Sequence, residues 1–384
     1  MKLDPEHESI LHGESGAVMA LAMKTLVDYG DAFGAKRLVP IKSAHLAGSF
    51  GMLPFPAYFD IISRLANEGA KVRVPTTINP RPGRELNLQN RITFSRQKQL
   101  ERDSAALGVT PNYSCACYFS ANVPAKGDIV GWSESSAVQY ANSVLGARTN
   151  RNSILTDICS AVTGVTPEFG YLLDENRRGR VLVKLKINRM EPSALGFLIG
   201  RAVIDRVPVI EHYPFSRTEL KNLGGAMAAS GATAMFHVEG VTPEAPTLDA
   251  VFDGQPEETM TVTQADIDSL RDGARDDINM VVFGCPHLTC EEAIALAQHF
   301  TGKRSQVPVW FFMIPDERKK YDRTKEAAAA REAGVSVYEY CPLTALTVRK
   351  KSIKIMTNSG KLYYYLEGTR YGHTEDCLRA CGVL

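Results

Sequence analysis

The sequence has no apolar run of the ~18 residues that a membrane-crossing helix needs. Its richest apolar stretch, Ala226 to Val238, is short and is broken by Ser230 and Gly231. The opening segment, Met1-Lys2-Leu3-Asp4-Pro5-Glu6-His7-Glu8, is acidic and lacks the charged-then-apolar plan of a secretory signal. No polybasic stripe is present; 44 Lys and Arg face 43 Asp and Glu, so neither nucleic acid nor an anionic membrane surface is an expected partner. No CxxC pair occurs, so a zinc ribbon or a thioredoxin-type site is not indicated. There are no internal repeats and no low-complexity linker. These absences leave the expectation of a cytoplasmic globular enzyme. Its 384 residues allow two or three domains at roughly 100–200 residues each.

Eight cysteines need an account: Cys115, Cys117, Cys159, Cys285, Cys290, Cys341, Cys377 and Cys381. Without a secretion signal, disulfides are not expected. Cys159 and Cys381 sit in helix-like patterns and read as small core hydrophobes.

Strand-like and helix-like segments alternate, the pattern of parallel α/β layers. Helices are expected over Gly16–Phe33, Pro56–Ala66, Gln97–Ala106 and Ser133–Leu145, the last with Ser133 as cap. Leu38–Ile41 and Val181–Ile187 read as strands, and Lys71–Val74 as extended. Ser216-Arg217-Thr218-Glu219 has the capping-box form and opens a helix through Ala229. Ala234–Val238 reads as a buried strand. The polar, Pro-rich Pro243–Met260 is the expected seam, dividing the chain into residues 1–240 and 241–384. Beyond it, Ile278–Phe283 is a strand ending at Gly284-Cys285-Pro286-His287, and Thr289-Cys290-Glu291-Glu292 is a second capping box opening a helix to Phe300. Then follow strand Val307–Ile314, helix Glu317–Ala333, strand Val335–Tyr340 ending at Cys341-Pro342, and strand Ile353–Met356 ending at Thr357-Asn358-Ser359-Gly360-Lys361.

In open α/β sheets, ligands gather at the carboxyl ends of strands. Cys285, Cys341 and the Thr357–Lys361 turn are expected there, and Cys115 precedes a loop rich in Asn, Pro and Gly. Four cysteines close an iron–sulfur cluster for electron transfer; three leave one iron open as a Lewis acid. Spacing alone leaves the alternative of three unrelated buried cysteines. The Thr357–Lys361 turn offers N–H groups, hydroxyls and an ammonium to an anion, without the upstream glycine of an ATP loop. Glu134-Ser135-Ser136 and Arg148-Thr149-Asn150-Arg151 bracket one helix with polar groups that serve either a ligand or a solvated helix end.

These motifs resemble the aconitase X family. The resemblance rests on Ser43–Gly48 (SAHLAG), Pro75–Pro80 (PTTINP), the Trp132–Arg151 block (WSESSAVQYANSVLGARTNR), Ser230-Gly231, Phe236-His237-Val238 and Val241–Ala245 (VTPEA). It continues through Gly284-Cys285-Pro286-His287, Cys341-Pro342 and Thr357–Lys361, so it runs from about residue 40 to the C-terminus, and the long block is highly specific. It implies an aconitase-like α/β fold, parallel or mixed sheets flanked by helices, with the cluster and substrate site at strand C-terminal ends between domains. It implies a hydro-lyase carrying an iron–sulfur cluster ([4Fe-4S], or [3Fe-4S] or [2Fe-2S] as isolated) on Cys115, Cys285 and Cys341.

By the same resemblance, Ser43, His45, Glu134, Ser135, Ser136, Asn142, Arg148 and Lys361 bind a small hydroxy-acid substrate. His45 reads equally as a structural histidine, and His287 as a residue that orients Cys285. Known activities of the family are dehydration of cis-3-hydroxy-L-proline, the reading preferred here, and of mevalonate 5-phosphate. A swivelling domain carries the family's catalytic serine. This chain ends at Leu384 without one, so a separate small subunit is the expected partner, and no base is nominated here. The sequence departs from the family's Cys-Thr-Pro-Tyr at Cys115-Ala116-Cys117-Tyr118, where Cys117 competes as a ligand. A redox sensor using Cys115 and Cys117, or a cluster-bearing regulator, is the rival of another class.

Overall fold

A computed structural model describes residues 1–48, 56–272, 277–347 and 352–384. The chain forms two compact units, Met1–Arg178 and Gly179–Leu384. The division expected at 240/241 lies inside the second unit.

In the first unit, α1 (Ala17–Ala32) leads to β1 (Leu38–Pro40) and β2 (Ser43–Leu46). Next come α2 (Pro56–Asn67), β3 (Thr76–Ile78), α3 (Gln97–Leu107) and β4 (Val130–Trp132). The unit closes with α4 (Ser135–Gln139), α5 (Ile154–Thr163) and β5 (Val165–Pro167). Strands β3, β2 and β4 form a parallel sheet in that order, while β1 pairs antiparallel with β5. Core residues Leu46, Ile62, Leu65, Leu100, Leu107 and Val162 pack the helices against this sheet. All four β2 residues are buried, which suits the central strand of a covered parallel sheet.

Three local readings change in this unit. Lys71–Val74 is not a strand; Val72 N–H bonds Leu107 O (2.9 Å) and Arg73 N–H bonds Ala161 O (2.8 Å), so helix ends take the groups a ladder would use. The cap of α4 is Glu134, whose carboxylate accepts from Ala137 N at 2.7 Å, whereas the Ser133 hydroxyl turns to Asp157 at 2.6 Å. The helix widens into a π-helix over Tyr140–Leu145, a form frequent at functional sites.

The second unit holds two parallel sheets. The first comprises β6 (Val181–Lys186), β7 (Pro208–Ile210), β8 (His237–Val238) and β9 (Glu258–Thr263), ordered β9-β6-β7-β8. Helices α6 (Pro192–Val203) and α7 (Arg217–Ser230) belong to this part, and Ser216 makes the expected capping box. Of Ala234–Val238 only the last two residues pair, and β9 begins within the expected Pro243–Met260 seam. The second sheet is ordered β12-β11-β10-β13-β14, from β10 (Met280–Leu288), β11 (Val309–Met313), β12 (Val335–Tyr338), β13 (Ile355–Thr357) and β14 (Arg370–Tyr371). Helix α8 (Cys290–Gln298) starts at the second capping box, on Thr289. The single helix expected over 317–333 is two, α9 (Pro315–Tyr321) and α10 (Lys325–Glu332), because Thr324 caps the second through Ala327 N at 3.1 Å. Helices α11 (Gly360–Tyr365) and α12 (Thr374–Ala380) complete the unit. No helix among the described residues is long and apolar enough to cross a membrane.

Candidate active site

In the first unit, polar side chains gather where β2, β3 and β4 end. His45 is fully buried; Nε2 donates to Asn79 Oδ1 and Nδ1 accepts from Thr77 Oγ1, each at 2.8 Å. The relay continues on both sides, from Asn122 Nδ2 to Thr77 Oγ1 (3.1 Å) and from Asn79 Nδ2 to Ala47 O (3.0 Å). Burial lowers the pKa of His45, which keeps the ring neutral. Both ring nitrogens are thus used inside the unit. Ser43 is buried and accepts from Trp132 Nε1 at 3.3 Å.

Glu134 gathers the next group. Its Oε2 accepts from Ser136 Oγ (2.7 Å) and Ala137 N, and its Oε1 faces Ser135 Oγ (3.4 Å). Ser136 is buried and Ser135 is half-buried at the helix start. Asn142 exchanges two bonds with Thr149, Nδ2 to Thr149 O (3.0 Å) and Thr149 N to Oδ1 (2.9 Å). Arg148 donates to Leu172 O at 2.7 Å and pairs with Asp174. Asn142 and Arg148 therefore shape the turn after the π-helix. Cys115 is half-buried, while Cys117, two residues on, is wholly buried and opens a 3-10 turn through Phe119.

Two residues of this unit carried no sequence signal. Buried Asp157, on α5, accepts from Ala47 N (3.0 Å) and Ser133 Oγ (2.6 Å), tying the loops after β2 and β4. Burial raises its pKa well above the usual carboxylate value, against those two bonds. Buried Arg177 donates to the carbonyls of Asn142 (3.1 Å), Ala147 (3.1 Å) and Tyr171 (2.9 Å), and so clamps the end of the π-helix.

In the second unit, β10 does not stop at Phe283 as expected. It pairs with β11 at Phe283↔Phe311 and again at Leu288↔Met313. The strand thus advances five residues while its neighbour advances two, and Gly284–His287 bulges from the ladder. Gly284 has φ +107°, and a Cβ there would meet Phe312 O at 2.2 Å, so the bulge needs glycine. Cys285 follows. Its carbonyl accepts from the Ser359 hydroxyl, at the end of β13. His287 Nε2 meets Tyr340 O at 2.8 Å, the residue before Cys341. Burial raises the Cys341 thiol pKa, and the Lys361 ammonium works against that rise. So Cys285, Cys341, Ser359 and Lys361 share one rim of the sheet. A cleft of about 260 Å³ adjoins Cys285, lined among others by Glu191, Ser193, Asn222, Glu292 and Asn358. Burial, the largest cause, pushes Glu191 up to about 7, while Arg189 opposes the rise. No lysine or arginine lines this cleft among the described residues.

Each unit thus sets thiols and hydroxyls at the carboxyl ends of parallel strands, as an α/β enzyme does. Sequence models of the aconitase X first, second and third domains match residues 1–175, 179–272 and 278–382. The latter two spans coincide with the two sheets of the second unit. The phosphomevalonate dehydratase large subunit of Methanosarcina mazei is 35% identical, over 98% of this chain and 96% of its own. The cis-3-hydroxy-L-proline dehydratase of Pseudomonas aeruginosa is 32% identical, over 99% of this chain and 70% of its own. The solved structure of aconitase X from Thermococcus kodakaraensis, in its holo-form, superposes with a TM-score of 0.89 at 32% identity and covers 99% of both chains. The chain belongs to the aconitase X family, and it is a hydro-lyase.

Proposed function

We propose that this chain is the large subunit of a cytoplasmic iron–sulfur dehydratase acting on a small hydroxy-carboxylate, cis-3-hydroxy-L-proline. The observation that carries the reading is the rim of the second unit, where the Cys285 and Cys341 thiols stand with the Lys361 ammonium and the hydrogen-bonded Ser359 hydroxyl. The reaction removes the C3 hydroxyl and the C2 hydrogen as water.

Cys115, Cys285 and Cys341 are the proposed ligands. Their soft sulfur donors suit an iron–sulfur cluster. Bound on three thiolates, such a cluster supplies a Lewis acid for the leaving hydroxyl. Lys361 and Ser135 bind the substrate carboxylate, and Ser136 and Glu134 hold Ser135 at the helix start. Ser43, His45, Asn142 and Arg148 act by fixing the loops around the site. The base comes from a small subunit, in keeping with the large-subunit names of the archaeal relatives.

Two features favour the amino acid over a phosphorylated substrate. Arg148, a cation that a phosphate would need, is already committed to Leu172 and Asp174. The cleft beside Cys285 has carboxylates and no cation in its lining. Mevalonate 5-phosphate is the second reading, favoured by relatives of that name at 35% and 38% identity. Dehydration assays on both compounds, with the small subunit present, separate the two. Turnover of mevalonate 5-phosphate alone would reverse the assignment.

A further inference from the structure

Lys221 is fully buried on α7, on a face that also carries the buried Gly224, Gly225 and Ala228 at i+3, i+4 and i+7. An aliphatic side chain would pack there without the cost of removing an ammonium from water. Its position is explained by what it touches. Lys221 Nζ donates to His287 O at 2.8 Å and pairs with the Glu292 carboxylate. Glu292 also accepts from Asn222 Nδ2 (Oε1, 2.8 Å) and from Thr289 N (Oε2, 2.9 Å).

The Gly284–His287 bulge is where β10 leaves its ladder, so its carbonyls have lost the strand partners that would satisfy them. Side chains replace those partners at two points: Ser359 for the Cys285 carbonyl and Lys221 for the His287 carbonyl. Glu292 then fastens Lys221 to the capping box that begins α8. The same His287 reaches Tyr340 O, beside Cys341.

We propose that Lys221 is a positioning residue: paired with Glu292, it holds the bulge that presents Cys285 to the iron–sulfur cluster. This rests on the ligand reading above. Outer partners of a metal centre set ligand orientation, and their loss typically lowers affinity about 10–100-fold. The bond to His287 places Lys221 in that outer role.

The test uses the full chain, reconstituted anaerobically. Lys221→Met should fold, by circular dichroism, and lose its cluster to an iron chelator about tenfold faster or more than wild type. In the cluster-free protein, the rate of Cys285 alkylation by iodoacetamide should change several-fold. Lys221→Arg, which keeps a donor, should recover most of both. Lys221→Met with Glu292→Gln removes both charges and guards against a stranded carboxylate. A folded variant of either kind that keeps the wild-type loss rate and alkylation rate overturns the proposal. Failure of both to fold also overturns it, by showing a pair that serves the core. Cys285→Ser is the control: if it retains the full cluster, the ligand reading fails, whatever Lys221 does.

Discussion

Cys115 and Cys117 are neighbours in sequence and differ in surroundings. Cys117 is wholly buried against the end of β3, where burial pushes its thiol well up against the pull of the Thr77 hydroxyl. Cys115 remains half-buried. Cys117→Ala should therefore keep cluster and activity, while Cys115→Ala loses both; iron content and the visible spectrum check this. The reverse pattern would move the ligand by two residues, and loss in both variants would favour a closed, four-thiolate centre. Cys285→Ser or Cys341→Ser should lose cluster and turnover. Cys377→Ser and Cys381→Ser should keep them, because those two thiols pack inside the apolar core of the second sheet. Wild-type iron in either ligand variant would sink the assignment. That Cys285 and Cys341 lie at the rim of the second sheet was legible in the sequence, because the apolar strand runs before them are local signals. Asp157, Arg177 and Lys221 were not, because their partners lie 110, 35 and 66 residues away.

Among the elements, those defined by local signals were readable. The capping boxes at Ser216 and Thr289 formed as expected, because both partners lie within four residues. The Gly284–His287 bulge was missed, since pairing against a distant strand decides it, as was the π-helix; the break at Asp322–Thr324 was missed although its cap, Thr324, is a local signal. Asp157 shows how such a distant tie works, joining the loops after β2 and β4 from α5. Asp157→Ala strands a buried N–H and a hydroxyl, and should cost about 1–3 kcal/mol in denaturant unfolding. Its pKa is raised in the folded state, so the native form binds more protons than the unfolded form above the unfolded value of about 3.9. Its stabilising contribution is complete below that value and is lost as pH rises through the folded pKa. Asp157→Asn keeps an acceptor without the titration, so its melting temperature should fall less than wild type over that range. An equal or steeper fall would show that Asp157 does not titrate as burial requires.

At the scale of the whole molecule, three domain models span nearly the full chain and a solved relative covers 99% of it. The fold class was therefore legible from motifs. The division into units was not, because the Pro-rich segment that looked like a seam lies inside the second unit and runs into β9. The proposed assembly has a direct consequence: the isolated chain should show little or no turnover, and adding the small subunit should restore it. Full activity of the chain alone would place the base within it. The central claim, a cluster-dependent dehydratase, is tested most directly by one measurement. The anaerobically reconstituted chain, combined with its small subunit, is given cis-3-hydroxy-L-proline, and the dehydrated ring is quantified against cluster content. The account predicts turnover that rises in proportion to cluster and vanishes in Cys285→Ser. A chain that holds a full cluster and dehydrates neither this compound nor mevalonate 5-phosphate would contradict it.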